Sequence, residues 1–255
     1  MGDFPDMATD LTGKTALVTG GAGGIGLACA RALSAVGVRV HVVDLDAEGA
    51  ERAAAEVGGW AHAADLTDPA AVETLPDNVD ILLNNAGFQH VAPLTEFPPE
   101  EFARMQALMV MAPFLLIRRS LPAMYARRWG RILNMSSVHG LRASVFKSAY
   151  VAAKHGLEGL SKVTALEGAQ FGVTSNCVNP GYVRTPLVEG QITAQAAAHD
   201  ISRDEVVGDV LLRRAAIKKL IEPEDVASTV VWLCSAQAGH VTGTSISVDG
   251  GWTAA

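Results

Sequence analysis

The sequence predicts an α/β fold built on a parallel sheet, and three observations carry that expectation. Short β-branched runs alternate with alanine-rich segments of helical length, the rhythm of βαβ units rather than of hairpins. A glycine-rich turn, "TGGAGGIG", directly follows the first such run. With 49% hydrophobic residues in a chain of 255, one large core can form, and no repeat or linker marks a second domain.

The elements follow in order. The opening "MGDFPDMATD", residues 1–10, is acidic and lacks an apolar signal core, so it reads as a disordered lead-in. Seven runs then read as strands: "KTALVTG", "VRVHVVD", "WAHAAD", "VDILLNNAG", "GRILNMSS", "VTSNCVNPG" and "TSISVDGG". Helix-sized intervals between most of them call for right-handed crossovers, with helices on both faces of the sheet. The longest near-apolar run, Ala107 to Ile117, contains Pro113 and is too short to span a bilayer, so no membrane partner is expected. A net charge of −7 with only short basic clusters, such as Arg127, Arg128 and Arg131, argues against nucleic acid. Cys29, Cys177 and Cys234 are scattered without a CxxC pair, which suits buried thiols in a reducing, cytoplasmic compartment and gives no metal site.

The chemistry starts at the first strand-to-helix turn. Glycines at 20, 24 and 26 allow a tight turn and a close approach of backbone amides to a pyrophosphate, with a helix starting near Gly24. The second strand ends at Asp44, eighteen residues after Gly26. A carboxylate there can accept hydrogen bonds from an adenosine ribose and repels a 2′-phosphate, which favours NAD over NADP; the competing reading is a strand-end cap. Asp65 in "ADLTD" reads either as a contact to the adenine edge or as a helix N-cap before Pro69.

Further along, Tyr150 and Lys154 in "YVAAK" stand four apart on one predicted helix face. The cation can favour the phenolate, making the tyrosine usable as a general acid or base; taken alone, the pair also fits a solvated amphipathic helix. Ser137, thirteen residues upstream at a strand end, can hydrogen-bond the same substrate oxygen, whereas Ser136 points to the other side if the pleat is regular.

Taken together, "TGGAGGIG", "NNAG" (84–87), "NMSS" (134–137), "YVAAK" (150–154) and "NPG" (179–181) resemble, in order and spacing, the signatures of the short-chain dehydrogenase/reductase family. The resemblance runs from about Lys14 to the C-terminus. It implies a single-domain, Rossmann-type, doubly wound parallel sheet of seven strands over residues 11–255, a nicotinamide cofactor and a homotetramer. It selects Ser137 over Ser136 and makes Ser137, Tyr150 and Lys154 catalytic. It places Gly20, Gly24, Ile25, Gly26, Asp44, Asp65, Leu66, Asn85, Ala86, Gly87, Pro180, Gly181, Val183 and Thr185 around NAD, together with Tyr150 and Lys154. Thr185 is equally an ordinary loop hydroxyl beside Pro186.

Four polar residues are not needed for hydride chemistry. Gln89, His139 and Lys147 flank the motifs closely enough to converge beside the catalytic pair, as donors suited to a carboxylate. Singly, His139 reads as a strand-end residue and Lys147 as a surface charge. The set "NNAGFQHVAP", "SVHG", "KSAYVAAKHG", "RTPLVEGQI" and "VDGGWTA" resembles one subgroup of the family, the D-3-hydroxybutyrate dehydrogenases. That resemblance assigns Gln89, His139, Lys147 and Gln191 to the substrate carboxylate and makes residues 186–220 a mobile lid. Tyr182 stands where the subgroup usually has tryptophan, near the substrate methyl. The implied reaction is NAD-dependent oxidation of D-3-hydroxybutyrate, or a similar 3-hydroxy acid, to acetoacetate or its analogue. Another small oxo-acid or hydroxy-ester is the alternative substrate.

One departure is larger. Aligning "ALMVMAPF" on Pro113 and Phe114 puts Met109 where the family carries a catalytic asparagine. In the family that helix bends, and a backbone carbonyl there holds a water linked to the lysine. Pro113, four residues later, has no N–H to give the Met109 carbonyl, so that carbonyl is expected to be free. Two expectations follow: a dehydrogenase with a modified proton relay, or an NAD-binding scaffold that has lost catalysis.

Overall fold

The computed structural model describes residues 10–199 and 201–254, so the lead-in lies outside the described residues save for Asp10. Seven strands form one sheet: β1 (Thr15–Thr19), β2 (Arg39–Asp44), β3 (Trp60–Ala63), β4 (Ile81–Asn84), β5 (Gly130–Met135), β6 (Val173–Pro180) and β7 (Ser245–Val248). Their order is β3-β2-β1-β4-β5-β6-β7 and every pairing is parallel. Each of the seven expected runs became one of these strands.

The strands are apolar on both faces because helices cover both. Ala16, Val18, Ile81, Leu83, Leu133 and Met135 face one apolar layer, while Leu17, Leu82 and Ile132 between them face the other. The first layer is closed by α1 (Gly24–Ala35), α2 (Ala47–Val57) and α9 (Pro223–Cys234), through Leu33, Ala53 and Val230 among others. The second is closed by α3 (Pro69–Glu73) and α5 (Ala112–Arg127), through Val72, Leu116 and Ile117. Local signals set the ends: Asp68 caps α3 by accepting from the Ala70 amide at 2.9 Å, and α2 stops at Gly58 with φ +63°.

α4 (Pro99–Gln106) continues through a π-helical turn, Ala107–Met111, into α5. The joined stretch Pro99–Arg127 is long and apolar enough to cross a membrane by composition, but Met105, Leu116, Ile117 and Met124 on it are buried in the protein's own core. α6 (Ser148–Gly168) lies against β6 and carries "YVAAK" in its first turns. After β6 come α7 (Pro186–His199), the short α8 (Arg203–Glu205) and a second π-helical turn, Val206–Leu211. This excursion is tied at its base: Val183 bridges Ile221, with Arg184 N donating to Ile221 O at 2.8 Å and Ile221 N to Tyr182 O at 3.0 Å. Its apolar underside, Ile192, Val206, Leu211 and Leu212, packs with Val138 and Trp252.

Candidate active site

Strand order reverses between β1 and β4, and the carboxyl ends of the strands there open into one groove of about 740 Å³. The end beside the turn after β1 is made largely of main chain. Gly20 takes φ +63° in the turn after β1, and a Cβ on Gly26 would collide with the Gly20 carbonyl, so α1 can pack directly under the turn. Asn85 braces the turn from β4, its Nδ2 donating to the carbonyls of Thr19 (2.9 Å) and Gly20 (3.1 Å). Thr19 Oγ1 in return accepts from the amides of Asn85 (2.9 Å) and Ala86 (3.1 Å). The N-cap of α1 is Gly23, which supplies no side-chain cap, so the first-turn amides are open to an anion.

Asp44 is fixed by two amides: Oδ2 accepts from Ala22 at 3.0 Å and Oδ1 from Asp46 at 3.1 Å. Asp65 accepts from the amide and hydroxyl of Thr67 at 2.9 and 2.7 Å, which hold its carboxyl below the ordinary value. The helix N-cap here is Asp68, which leaves Asp65 at the groove with Leu66. The Thr185 methyl packs 3.4 Å from where a Cβ on Gly24 would stand, and its hydroxyl accepts from the Val188 amide at 3.4 Å in the first turn of α7. It is therefore both a groove residue and a loop hydroxyl.

At the other end, Ser137, His139, Lys147, Tyr150 and Lys154 line the groove with Gln89, Pro180, Gly181, Tyr182 and Val183. Ser137 stands just beyond β5, and its Oγ accepts from the His139 amide at 3.2 Å. The His139 ring is held between serines, Nδ1 3.4 Å from Ser137 Oγ and Nε2 3.0 Å from Ser144 Oγ. Burial, helped by the Lys147 and His155 charges, pulls its imidazolium down to about 4, so His139 is neutral near pH 7 and has one N–H to give.

Burial pushes the Tyr150 phenol up, against a hydrogen bond from Ser137 that lowers it. Lys154, only 4% exposed, donates from Nζ to the Met135 carbonyl at 2.6 Å and sits 5.5 Å from the Tyr150 ring centroid. Burial pulls the Lys154 ammonium down to about 8. Lys147, at the entry to α6, stands 6.0 Å from the Tyr182 ring centroid and forms no ion pair among the described residues. Burial lowers its ammonium below the ordinary value.

Gln191 lies on α7, and its side chain is outside the described part. Sequence reasoning missed other neighbours. Arg104 lines the groove over the Phe88 ring, 4.4 Å from its centroid, and Trp252 reaches within 5.8 Å of the His139 ring. Met135 holds Lys154 through its carbonyl, which no residue type announces. Trp252 belongs to "VDGGWTA", where a tryptophan directly after paired glycines is the signal that could find it.

Met109 is buried on the wall beside Tyr150, its sulfur 3.1 Å from where a Cβ on Gly87 would stand. Just before Pro113 the helix widens into the π-helical turn, with the Ala112 amide donating to Ala107 O. Leu108 thereby loses its donor four residues on, and Met109 has none because that residue is Pro113. Both carbonyls thus lack the donor that an α-helix would supply four residues on.

The comparisons agree with the fold. The family described as enoyl-(acyl carrier protein) reductase matches residues 20–253. The D-beta-hydroxybutyrate dehydrogenase of Rhizobium meliloti is 44% identical, covering 94% of this chain and 99% of its own. That of Cupriavidus necator is also 44% identical, covering 96% and 99%. The solved L-sorbose reductase of Gluconobacter frateurii, complexed with NADPH and L-sorbose, superposes with a TM-score of 0.92 at 28% identity, covering 98% of this chain and all of its own. The chain belongs to the short-chain dehydrogenase/reductase family of oxidoreductases, whose cofactor is NAD or NADP. The open helix-start amides, the glycine cradle and the fixed carboxylates fit such a dinucleotide.

Proposed function

We propose that this protein is an NAD-dependent dehydrogenase that interconverts D-3-hydroxybutyrate, or a similar small 3-hydroxy acid, with the 3-oxo acid. The observation that carries this reading is Lys147, a partly buried cation with no carboxylate partner among the described residues, in the same groove as Ser137, Tyr150 and Lys154. The resemblance of the relatives named D-beta-hydroxybutyrate dehydrogenase supports the substrate class. Asp44 supports NAD, because a carboxylate at the end of β2 repels a 2′-phosphate.

When bound, the cofactor supplies the acceptor for the hydride from the carbinol carbon. Tyr150 takes the hydroxyl proton as phenolate in oxidation and returns it in reduction. Ser137 Oγ steadies the same oxygen, and Lys154 favours the phenolate by its charge. Lys147 pairs with the carboxylate, while His139, with Gln89 and Gln191, adds hydrogen bonds that fix its orientation. Residues 186–220 close over the substrate as a lid, with the Val183–Ile221 bridge as its fixed base. We further infer a cytoplasmic homotetramer, consistent with three buried free thiols and with exposed Phe114, Val163 and Leu166 on α5 and α6.

NADH formation with D- and L-3-hydroxybutyrate tests the reading. Turnover of the D form alone is expected. NAD binding without turnover of any 3-hydroxy acid would favour the scaffold, the reading that Met109 raises.

A further inference from the structure

One turn beyond Lys154 on α6 stands a carboxylate that the chemistry above does not use. Glu158 is 5% exposed and lies behind the groove wall, where burying an ionised group is costly unless something is gained. Its Oε1 accepts from Asn179 Nδ2 at 2.6 Å and its Oε2 from Ser245 Oγ at 2.6 Å, so both oxygens face donors, as an ionised carboxylate requires. The same Asn179 amide donates to the Ser137 carbonyl at 2.9 Å. A Cβ on Gly140 would stand 2.8 Å from Glu158 Oε1 and collide with Ser136 Oγ, so the turn that carries Ser137 and His139 presses against this carboxylate through bare backbone.

The charged and titratable groups around Lys154 are few. Tyr150 and Glu158 flank it on α6, Cys177 approaches from β6, and His139 contacts Tyr150 from the turn after β5. Lys147 enters at the start of α6, and His155 beside Lys154 is exposed. Glu158 itself faces Asn179, Ser245, Cys177 and Lys154. Burial pushes the Cys177 thiol far up, so it carries no charge at neutral pH. Glu158 is then the standing negative charge that opposes the effect of burial on the ammonium.

We propose that Glu158 is a positioning residue of this site: its charge keeps Lys154 cationic beside Tyr150, and its hydrogen bond to Asn179 holds the Ser137 turn. This rests on the dehydrogenase reading for its functional meaning. A hydrogen-bonding role alone could be filled by glutamine; the charge could not.

The test compares Glu158→Gln with Glu158→Asp. Reduction of acetoacetate needs the Tyr150–Lys154 pair fully protonated, so activity falls as pH rises through the pair's first proton loss. Removing a nearby negative charge eases that loss, so Glu158→Gln should move the falling limb to lower pH by about one unit. Glu158→Asp keeps the charge on a shorter arm, so its limb should stay at the wild-type pH while kcat drops. NMR titration of lysines labelled at Cε, with Lys154→Ala identifying the signal, should show the same shift in Glu158→Gln, and NAD affinity reports the fold. An unmoved Lys154 titration in Glu158→Gln, or an equal shift in Glu158→Asp, overturns the proposal. If wild type reduces no 3-oxo acid, the dehydrogenase reading fails, and the lysine titration still decides the role of Glu158.

Discussion

The two ends of the groove are built on different principles. At the end beside the glycine turn, which we assign to adenosine, the groove is lined by amides and carbonyls at strand ends, braced by Asn85 and Thr19 and backed by a sheet buried on both faces. At the other end, which we assign to substrate, the lining is side chains from a turn, a helix entry and an excursion between β6 and β7, which lean on one another: His139 on Tyr150 and Trp252, Lys147 on Tyr182. A site made of backbone tolerates side-chain change and specifies a shape. A site made of side chains specifies a charge and loses it with one substitution. Mutations should therefore separate the ends sharply.

The largest effect belongs to the substrate end. Tyr150→Phe removes the phenol that stands beside Lys154, the proposed proton carrier, and should nearly abolish kcat while NAD binding stays intact. Lys147→Ala should leave kcat and NAD affinity close to wild type and raise KM for 3-hydroxybutyrate. A charge-assisted contact contributes about 1.5–3 kcal/mol, which corresponds to about 10- to 150-fold in KM. The methyl ester should erase the difference between wild type and mutant. An unchanged KM for the acid would remove Lys147 from the carboxylate site.

At the adenosine end the expected change is smaller and of another kind. Asp44→Ala deletes a side chain held by the Ala22 and Asp46 amides but leaves the glycine cradle in place. NAD should still bind, with the preference for NAD over NADP relaxed by about tenfold, the worth of one charge-assisted hydrogen bond. Steady-state kinetics with both cofactors measures this, and an NADP-preferring wild type would contradict the reading of β2.

This contrast also explains what the sequence could reveal. Strands buried on both faces must be continuous apolar runs, so all seven were legible, and a turn that needs glycine at fixed offsets announces itself. Asp65 was less clear, because aspartate serves both loops and caps; the competing role turned out to belong to Asp68. The substrate end was legible only through motif resemblance. Ser144 bonds His139 because the turn after Gly140 curls back, and Trp252 meets the same ring from the far end of the chain, neither of which a spacing rule encodes. The π-helical turn was hidden too: proline signalled a missing donor, not the wider pitch that absorbs it.

That turn lies between the two ends, and it carries the smallest expected effect. Met109 offers no amide, yet its carbonyl and that of Leu108 lack their donors four residues on, because Ala112 donates to Ala107 and Pro113 cannot donate. If a water held by these carbonyls continues the proton path from Lys154, the side chain at 109 matters little and the backbone matters more. Met109→Asn should then change kcat by less than about tenfold, the lower range for a proton-transfer contribution. Pro113→Ala should cost more than Met109→Asn, since a restored N–H can close on the Met109 carbonyl and draw the turn back to α-helical pitch. The measurement is kcat across pH for both variants, with NAD affinity to confirm that each is folded. A silent Pro113→Ala would take the released carbonyls out of the path. Conversion of an inert wild type into an active enzyme by Met109→Asn would mean that the relay was broken at this residue, and the scaffold reading would then replace the dehydrogenase.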